Sequence, residues 1–399
     1  MASDEFDVIV VGAGPGGSNA AAAALAGGLR VAQVDKAAFP RVKPCAGGLT
    51  MKTCRALRLE YAPWVRATWS SVEFNLWGGE GHRFTHRRRP VVGLVLRPEF
   101  DNALVRQNLE MRDFRLFSGE RFVDASYDRG FTVRTRARTL RAPQLIAADG
   151  AYSTVNRQFH LAHPRTNAVA IEVNIPRDDV RSDSDPQLCF DFGAVEAGYG
   201  WVFPKDDHLS VGLYTYRWGL KGLRERLLAY IAAKRLAPRH IDALRFDAHQ
   251  VPVGGYGLSR SLLPLYMVGD AGGFADALTG EGIYHAVESG RIAGETAVAV
   301  HRGDARGPAL YRRRLWRSVL PDTFLTYQAS RVFYRHLRAG THALEAPGVW
   351  RALIEGYADA ATFTTSAVRA PEYILRSLLH GSLRYERLAS QDVAGVASA

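Results

Sequence analysis

The sequence predicts an α/β protein: a domain of parallel β-α-β type, split by an inserted antiparallel-sheet domain and followed by a helical C-terminal region. Three observations predict it. The chain opens as strand, glycine turn, helix, strand; its middle is a series of short aromatic strands; and from Gly282 onward the apolar spacing is helical.

The opening segment carries the clearest pattern. Asp7-Val-Ile-Val-Val11 is a β-branched run with no polar break, the pattern of a central parallel strand buried on both faces. Gly12-Ala-Gly14-Pro15-Gly16-Gly17 follows at once, and the alanine-rich stretch Asn19 to Ala26 has high helix propensity. Gly27-Gly28 ends that helix, and Arg30 to Val34 forms a second strand closing on Asp35 and Lys36.

The middle reads differently. Segments near Ser71 to Trp77, Ala168 to Ile175, Gln187 to Phe192, Gly200 to Phe203 and Leu209 to Tyr214 are short, often aromatic, and bounded by Gly, Pro or Asp, as in an antiparallel sheet. In the last part Pro308, Pro321, Pro347 and Pro371 are expected at helix boundaries, and Ala389 to Ala399 as a frayed end. The expected boundaries are 1–65, 92–164 and 258–310 for the first domain, 66–91 and 165–257 for the inserted one, and 311–399 for the helical region.

Composition narrows the class of protein. With 47% hydrophobic and 23% charged residues the chain is neither disordered nor fibrous. No window approaches about 18 consecutive apolar residues, so no transmembrane helix is expected, and the acidic start is unlike an export signal. Cys45, Cys54 and Cys189 form no CxxC pair and no metal-ligand spacing appears, which predicts no disulfide framework, no metal site and a cytoplasmic protein. The formal charge is +11, and from position 301 there are fourteen Arg against eight Asp and Glu. That surplus suits an anionic partner such as a phosphorylated cofactor or a phospholipid surface, and equally a solvated basic surface. No nucleic-acid module accompanies it.

The chemistry starts at the glycine turn. Gly12-x-Gly14-x-x-Gly17 after a strand and before a helix is a dinucleotide-binding arrangement, with the helix N-terminus facing phosphate. Asp35, eighteen residues past Gly17, is placed to accept a ribose hydroxyl. Leu145 to Asp149-Gly150 and Met267-Val-Gly269-Asp270 each run from an apolar strand into a glycine turn.

These three segments, in this order, resemble the motifs of the FAD-dependent aromatic-hydroxylase superfamily over positions 6 to 290. The resemblance implies a Rossmann-like domain binding FAD, with Asp270 on the ribityl chain. Four further segments resemble the geranylgeranyl (prenyl) reductase family: Lys43-Pro-Cys45-Ala-Gly47-Gly48, Arg97-Pro-Glu-Phe-Asp101, Tyr199-Gly-Trp201-Val-Phe203-Pro204, and Leu278-Thr-Gly280-Glu-Gly282-Ile283. The chain departs from that family at Glu196 and Ala277, where proline is usual, and by the extra Ala46.

The resemblance implies the following assignments. Cofactor contacts are expected from Gly12, Gly14, Pro15, Gly16, Gly17, Asp35, Lys36, Lys43, Arg97, Asp149, Gly150, Gly269, Asp270, Gly280, Gly282 and Ile283. Catalytic positions are Cys45, Gly47 and Gly48, and substrate contacts are Tyr199, Trp201, Phe203 and Pro204. The implied reaction saturates isolated C=C bonds of a prenyl chain on a lipid, diphosphate, quinone or chlorophyll-type substrate. NADPH, NADH or another donor reloads the flavin, and peripheral contact with the inner face of the membrane is expected. A monooxygenase of the same superfamily is the alternative.

From the residues alone, the alternating Tyr199, Trp201 and Phe203 either line an apolar trough or form a packed core stripe, and Cys45 is either functional or a small buried hydrophobe. His82 to Arg89 reads as an exposed hairpin tip or an anion grip. Arg312 to Arg317 and Arg331 to Arg338 read as interfacial helix or as packed amphipathic helix with solvated arginines.

Overall fold

A computed structural model describes residues 5–57, 63–161, 166–180, 185–236, 238, 240–255, 262–303 and 306–389. Most of the tail expected to fray, 390–399, lies outside the described residues. The chain divides into two compact units: residues 1–43, 97–166 and 251–327, and residues 44–96, 167–250 and 328–399.

The first unit is built on a five-stranded, wholly parallel sheet in the order Leu265–Met267, Gln144–Ala147, Val8–Val11, Val31–Asp35, Phe114–Ser118. Alternation explains its unbroken apolar strands. Val8, Val10, Val31 and Ile146 face one core with Ala20, Ala24, Ile292, Ala297 and Leu315 from the covering helices. Ile9, Val11, Ala32, Val34 and Leu145 face the other core. There the cover is a three-stranded antiparallel sheet, Phe122–Tyr127, Phe131–Thr135 and Thr139–Ala142, which supplies Phe122, Phe131, Val133 and Leu140. The first helix, Pro15–Ala26, is alanine-rich because another helix, Ile283–His301, lies directly on it: a Cβ on Gly290 would come within 2.1 Å of the Gly16 carbonyl oxygen.

The second unit carries an eight-stranded sheet in the order Phe246–Val253, Thr166–Pro176, His208–Thr215, Gly198–Pro204, Cys189–Phe192, Ser71–Leu76, Gly81–His86, Leu383–Leu388. All five aromatic segments foreseen as strands are in it. One pairing departs from the antiparallel expectation: Cys189–Phe192 runs parallel to Ser71–Leu76. The two strands come from separate chain segments, so no hairpin dictates their direction. One sheet face is aliphatic (Val173, Val202, Val211, Leu213) and is covered by the helix Leu223–Ala233 through Leu227, Tyr230 and Ile231.

Several expectations change. Residues 44–65 group with the sheet unit, and the last hundred residues divide between the units, with Leu383–Leu388 forming an edge strand beside Gly81–His86. Pro321 does not end a helix; it lies inside Gly307–Arg335. An interior proline costs about 3 kcal/mol. Fully buried Val319 and Leu320 beside it offset that at about 1.5–3 kcal/mol each. His82 to Arg89 is no exposed hairpin tip: His82 and His86 are buried in a strand paired on both sides. Two of its arginines find carboxylates, Arg83 bonding Glu73 at 2.6 Å and Arg89 bonding Glu355 at 3.2 Å, while Arg87 and Arg88 are exposed. In the basic helix Leu315 is core while Trp316 and Val332 are exposed, so the packed and the solvated faces coexist.

Candidate functional site

Every residue expected to touch the cofactor belongs to the first unit, and every expected catalytic or substrate residue to the second.

The first-unit site forms at the carboxyl ends of the parallel strands. Gly17 is closed against the strand, because a Cβ there would sit 2.0 Å from the Gly12 carbonyl oxygen. Gly14 is open: a Cβ there would meet nothing closer than an Arg41 guanidinium nitrogen at 3.4 Å. That opening lies at the start of the helix, where the first helical bond is Ser18 N–H to the Gly14 carbonyl (2.9 Å) and no acidic residue occupies the first turn. Helix polarity there favours an anion.

Asp35 ends its strand with each carboxylate oxygen accepting one amide, Ala13 N–H at 2.8 Å and Ala37 N–H at 2.9 Å. A lone pair remains on each oxygen for a ribose hydroxyl. Lys36 beside it is exposed. Arg41, which the motif reading passed over, bridges Asp101 at 3.2 Å and lies 3.9 Å from Asp35, so a fixed cation stands over Gly14. Its only sequence signal was a lone arginine between Pro40 and Lys43. Arg97 makes a bidentate pair with fully buried Asp101, both contacts 2.8 Å, at the start of the helix Arg97–Leu109.

The other two turns differ in kind. Asp149 spends its carboxylate locally: Ser153 Oγ–H donates at 2.5 Å, and the amides of Thr154 and Val155 donate at 2.7 and 3.2 Å. Burial raises its carboxyl above the usual range, against the lowering effect of those donors. Asp149 therefore shapes the turn, and Gly150, with φ +79°, leaves open space. Asp270 instead meets a cation, Lys43 Nζ at 3.3 Å, within a short turn spanning Gly269–Gly272. Asp276 accepts from Leu278 and Thr279 amides (2.7 and 2.9 Å) and fixes the loop through Gly280 to Gly282, where the helix starting at Ile283 begins. An open glycine at a helix start, a ribose-ready carboxylate and fixed cations fit the diphosphate and ribose of a dinucleotide.

In the second unit Tyr199, Trp201 and Phe203 share one strand face, all at least nine-tenths buried. They continue into Phe190 and Phe192 on the next strand, Phe74 on the one beyond and Phe84 after that, with ring centroids 5.3–6.1 Å apart. The aromatic stripe is thus a platform four strands wide. Trp201 Nε1–H donates to Ser210 Oγ at 3.3 Å and Pro204 accepts from Trp69 at 3.2 Å. The Cys45 loop packs on this platform. A Cβ on Gly48 would meet the Phe203 ring at 2.9 Å, the Cys45 amide donates to Glu172 Oε1 at 2.5 Å, and Gly47 N–H donates to Cys45 Sγ at 3.4 Å. Glu196, the departure before the aromatic strand, pairs with Arg217 and Arg226 at its turn.

No group of His, Cys, Asp and Glu among the described residues is set to hold a metal ion, and no described helix is long and apolar enough to cross a membrane.

The profile of a family described as FAD binding domain matches residues 5–191. An uncharacterized protein of Methanosarcina barkeri is 32% identical over 84% of this chain and 85% of its own. A menaquinone reductase of Mycobacterium tuberculosis is 31% identical over 80% and 81%. Digeranylgeranylglycerophospholipid reductase 1 of Methanothermobacter thermautotrophicus is 30% identical over 81% and 85%. Among solved structures, a geranylgeranyl bacteriochlorophyll reductase-like protein from Thermoplasma acidophilum shares the fold, with TM-score 0.70 at 20% identity over 94% of this chain and 98% of that one. With the turns, carboxylates and cations just described, these similarities establish that the chain is an FAD-dependent oxidoreductase belonging to the geranylgeranyl (prenyl) reductase family.

Proposed function

We propose that the protein saturates isolated C=C bonds of a prenyl chain carried on a lipid, diphosphate, quinone or chlorophyll-type head group. The observation that carries this reading is the aromatic platform of the second unit with the Cys45 loop packed on it. It is a broad, buried apolar face with one thiol beside it, of the chemistry that suits a long hydrocarbon.

Bound FAD, once reduced, supplies the hydride. The residues of the chain do the rest. Gly14, the helix start, Arg41 and Asp35 bind the dinucleotide, and Asp270 with Lys43 orients its ribityl side. Lys36, Arg97, Gly150, Gly280, Gly282 and Ile283 complete that site in this reading. Tyr199, Trp201, Phe203 and Pro204 hold the prenyl chain and exclude water. An unactivated alkene accepts hydride poorly, so a proton must reach the more electron-rich carbon, and the Cys45 thiol is its donor, with Gly47 N–H stabilising the sulfur afterwards.

NADPH, NADH or another donor serves as reductant, and the substrate comes from a lipid surface. The arginine surplus after position 301, exposed Trp316 and Val332, and exposed Leu375, Leu378 and Leu379 on the helix Ala370–His380 support peripheral contact with anionic lipid rather than nucleic acid. Binding to anionic vesicles should weaken as salt shortens the screening length from about 10 Å at 0.1 M to about 3 Å at 1 M.

The test is anaerobic incubation of the reduced protein with geranylgeranyl-bearing lipids, read by mass spectrometry. A gain of about two mass units per bond, one hydride and one proton, supports the reading. Turnover that requires O2 and inserts oxygen would replace it with monooxygenation.

A further inference from the structure

Lys205 is 2% exposed, although it follows Pro204 at the tip of a hairpin whose other tip residues, Asp206 and Asp207, face solvent. Its backbone is pinned by Lys205 N–H to the His208 carbonyl (2.9 Å) and by Arg177 Nε–H to the Lys205 carbonyl (2.6 Å), and its side chain turns inward. Nζ lies 3.5 Å from His208 Nε2 and 3.6 Å from where a Cβ on Gly47 would stand, in the loop that carries Cys45. His208, itself buried, places Nδ1 2.6 Å from Asp207 Oδ1, and the Asp207 side chain is 63% exposed. A chain of exchangeable groups thus runs from solvent at Asp207, through His208, to a buried ammonium against the loop that carries Cys45.

We propose that Asp207, His208 and Lys205 form a proton relay from solvent to Cys45, in which Lys205 returns a proton to the sulfur after each reduction. The proposal rests on the reaction proposed above. Each saturated bond takes one hydride and one proton; the Cys45 S–H bond breaks as the carbon–hydrogen bond forms, leaving a thiolate. A Lys205 N–H bond then breaks as S–H re-forms, and the resulting amine takes a proton from His208 Nε2. As the Nε2 proton leaves, the ring takes a proton at Nδ1, passed from water through Asp207, and so stays neutral throughout. Proton exchange with solvent restores the Nε2–H tautomer before the next turnover. No electrons move in these steps, so no further reactant is needed.

The surroundings favour this use. The charged and titratable groups acting on Lys205 are Glu172 from the strand Thr166–Pro176, Cys45 from its loop, His208 beside it, and the solvent-exposed Asp206 and Asp207 of the hairpin. Burial pushes the Lys205 ammonium below its ordinary range, while Glu172 and Cys45 push it back up. The Lys205 ammonium therefore releases a proton more readily than that of an exposed lysine. Burial likewise holds His208 below its ordinary range, with Lys205 adding to the effect and Asp207 opposing it, so the ring is neutral and able to pass a proton between its two nitrogens.

Lys205→Met and Lys205→Arg separate the relay from plain electrostatics. Arginine keeps the charge and cannot give up a proton. The first readout needs no substrate: alkylation of Cys45 by iodoacetamide at pH 7, followed by peptide mass spectrometry with Cys54 as internal reference. The second is single-turnover alkene reduction under anaerobic conditions, with flavin reduction by dithionite followed separately. Loss of the charge in Lys205→Met should slow Cys45 alkylation about tenfold or more, the scale of one charge a few ångströms away at an effective dielectric near 20. Lys205→Arg should alkylate at close to the parent rate. Both variants should lose about tenfold to a thousandfold in alkene reduction, the range for a removed proton carrier, while flavin reduction is unchanged. Full alkene reduction in Lys205→Arg, or unchanged alkylation in folded Lys205→Met, overturns the relay. If the parent protein reduces no prenyl substrate, the proposed reaction fails and the relay's role in it falls too; the alkylation rates then still report the Lys205–Cys45 coupling by itself.

Discussion

Gly14 and Gly17 belong to one motif, yet the structure predicts opposite consequences for adding a methyl group to each. At Gly14 the backbone has φ −77° and ψ −176°, extended values open to any residue, and the new Cβ would meet only the end of a flexible arginine at 3.4 Å. Two small effects compete in Gly14→Ala. Reduced freedom of the unfolded chain stabilises by about 0.4–1 kcal/mol, and alanine is a poorer helix N-cap than glycine by about the same amount. The apo protein should therefore melt within about 3 °C of the parent, given roughly 2–4 °C per kcal/mol at this size. FAD retention should nevertheless collapse, because the methyl group fills the approach of the diphosphate to the helix start. At Gly17 the Cβ would lie 2.0 Å from the Gly12 carbonyl oxygen, a backbone atom that cannot step aside. Gly17→Ala must push the helix off the strand at a cost of about 3 kcal/mol or more, which is roughly 6–12 °C in melting temperature. The assay is the ratio of flavin to protein absorbance after purification, with apo melting curves followed by circular dichroism. A Gly14→Ala protein that keeps full FAD would refute the path of the diphosphate, and a Gly17→Ala protein of normal stability would refute the close approach.

Three further outcomes follow from the geometry. Asp270→Ala should weaken FAD binding about tenfold or more, the size of one hydrogen bond to a charged group, and unaltered flavin content would remove Asp270 from the ribityl contact. Trp201→Ala, at a side chain only 4% exposed, should lose about 3–5 kcal/mol, as for a packed aromatic, while retaining FAD and losing prenyl turnover; unchanged prenyl turnover, or loss of FAD, would make the indole a core residue only. His86 accepts the Arg88 and Arg89 amides at Nδ1 (3.2 and 2.9 Å), and burial, outweighing the Glu355 carboxylate, holds its pKa below the ordinary value. The unfolded chain then binds more protons, so His86 contributes stability that is complete above about pH 6.5 and is lost as pH falls below it. His86→Asn keeps an acceptor near the Nδ1 position without titrating, and should make the decline in melting temperature from pH 7 to 5 shallower. An equally steep decline would assign it to His82 and His208, which burial also holds down.

What the sequence determined by itself is local. A β-branched strand, a glycine turn, a small-residue helix and a second strand ending in Asp35 are neighbours in the chain, so their spacing already implies their geometry, and each found its expected place. The aromatic alternation at Tyr199, Trp201 and Phe203 predicted a strand for the same reason, a period of two. What joins distant segments was left to tertiary structure. Nothing in the motif around Arg41 announces its partners, because Asp35 and Asp101 reach it only after the sheet and the helix Arg97–Leu109 have assembled. The edge strand Leu383–Leu388 was invisible because its charged sequence is stabilised by pairing with Gly81–His86, three hundred residues earlier. Pro321 sits inside a helix against its local cost because its neighbours Val319 and Leu320 are core residues, contacts that only the fold supplies. Lys205, by residue type and turn position, reads as a solvated charge; only the folded hairpin turns it inward, because Glu172 and the Cys45 loop come from elsewhere in the chain to meet it. Short-range sterics and periodicity are written in consecutive residues, whereas burial and charge pairing depend on which residues the fold makes neighbours.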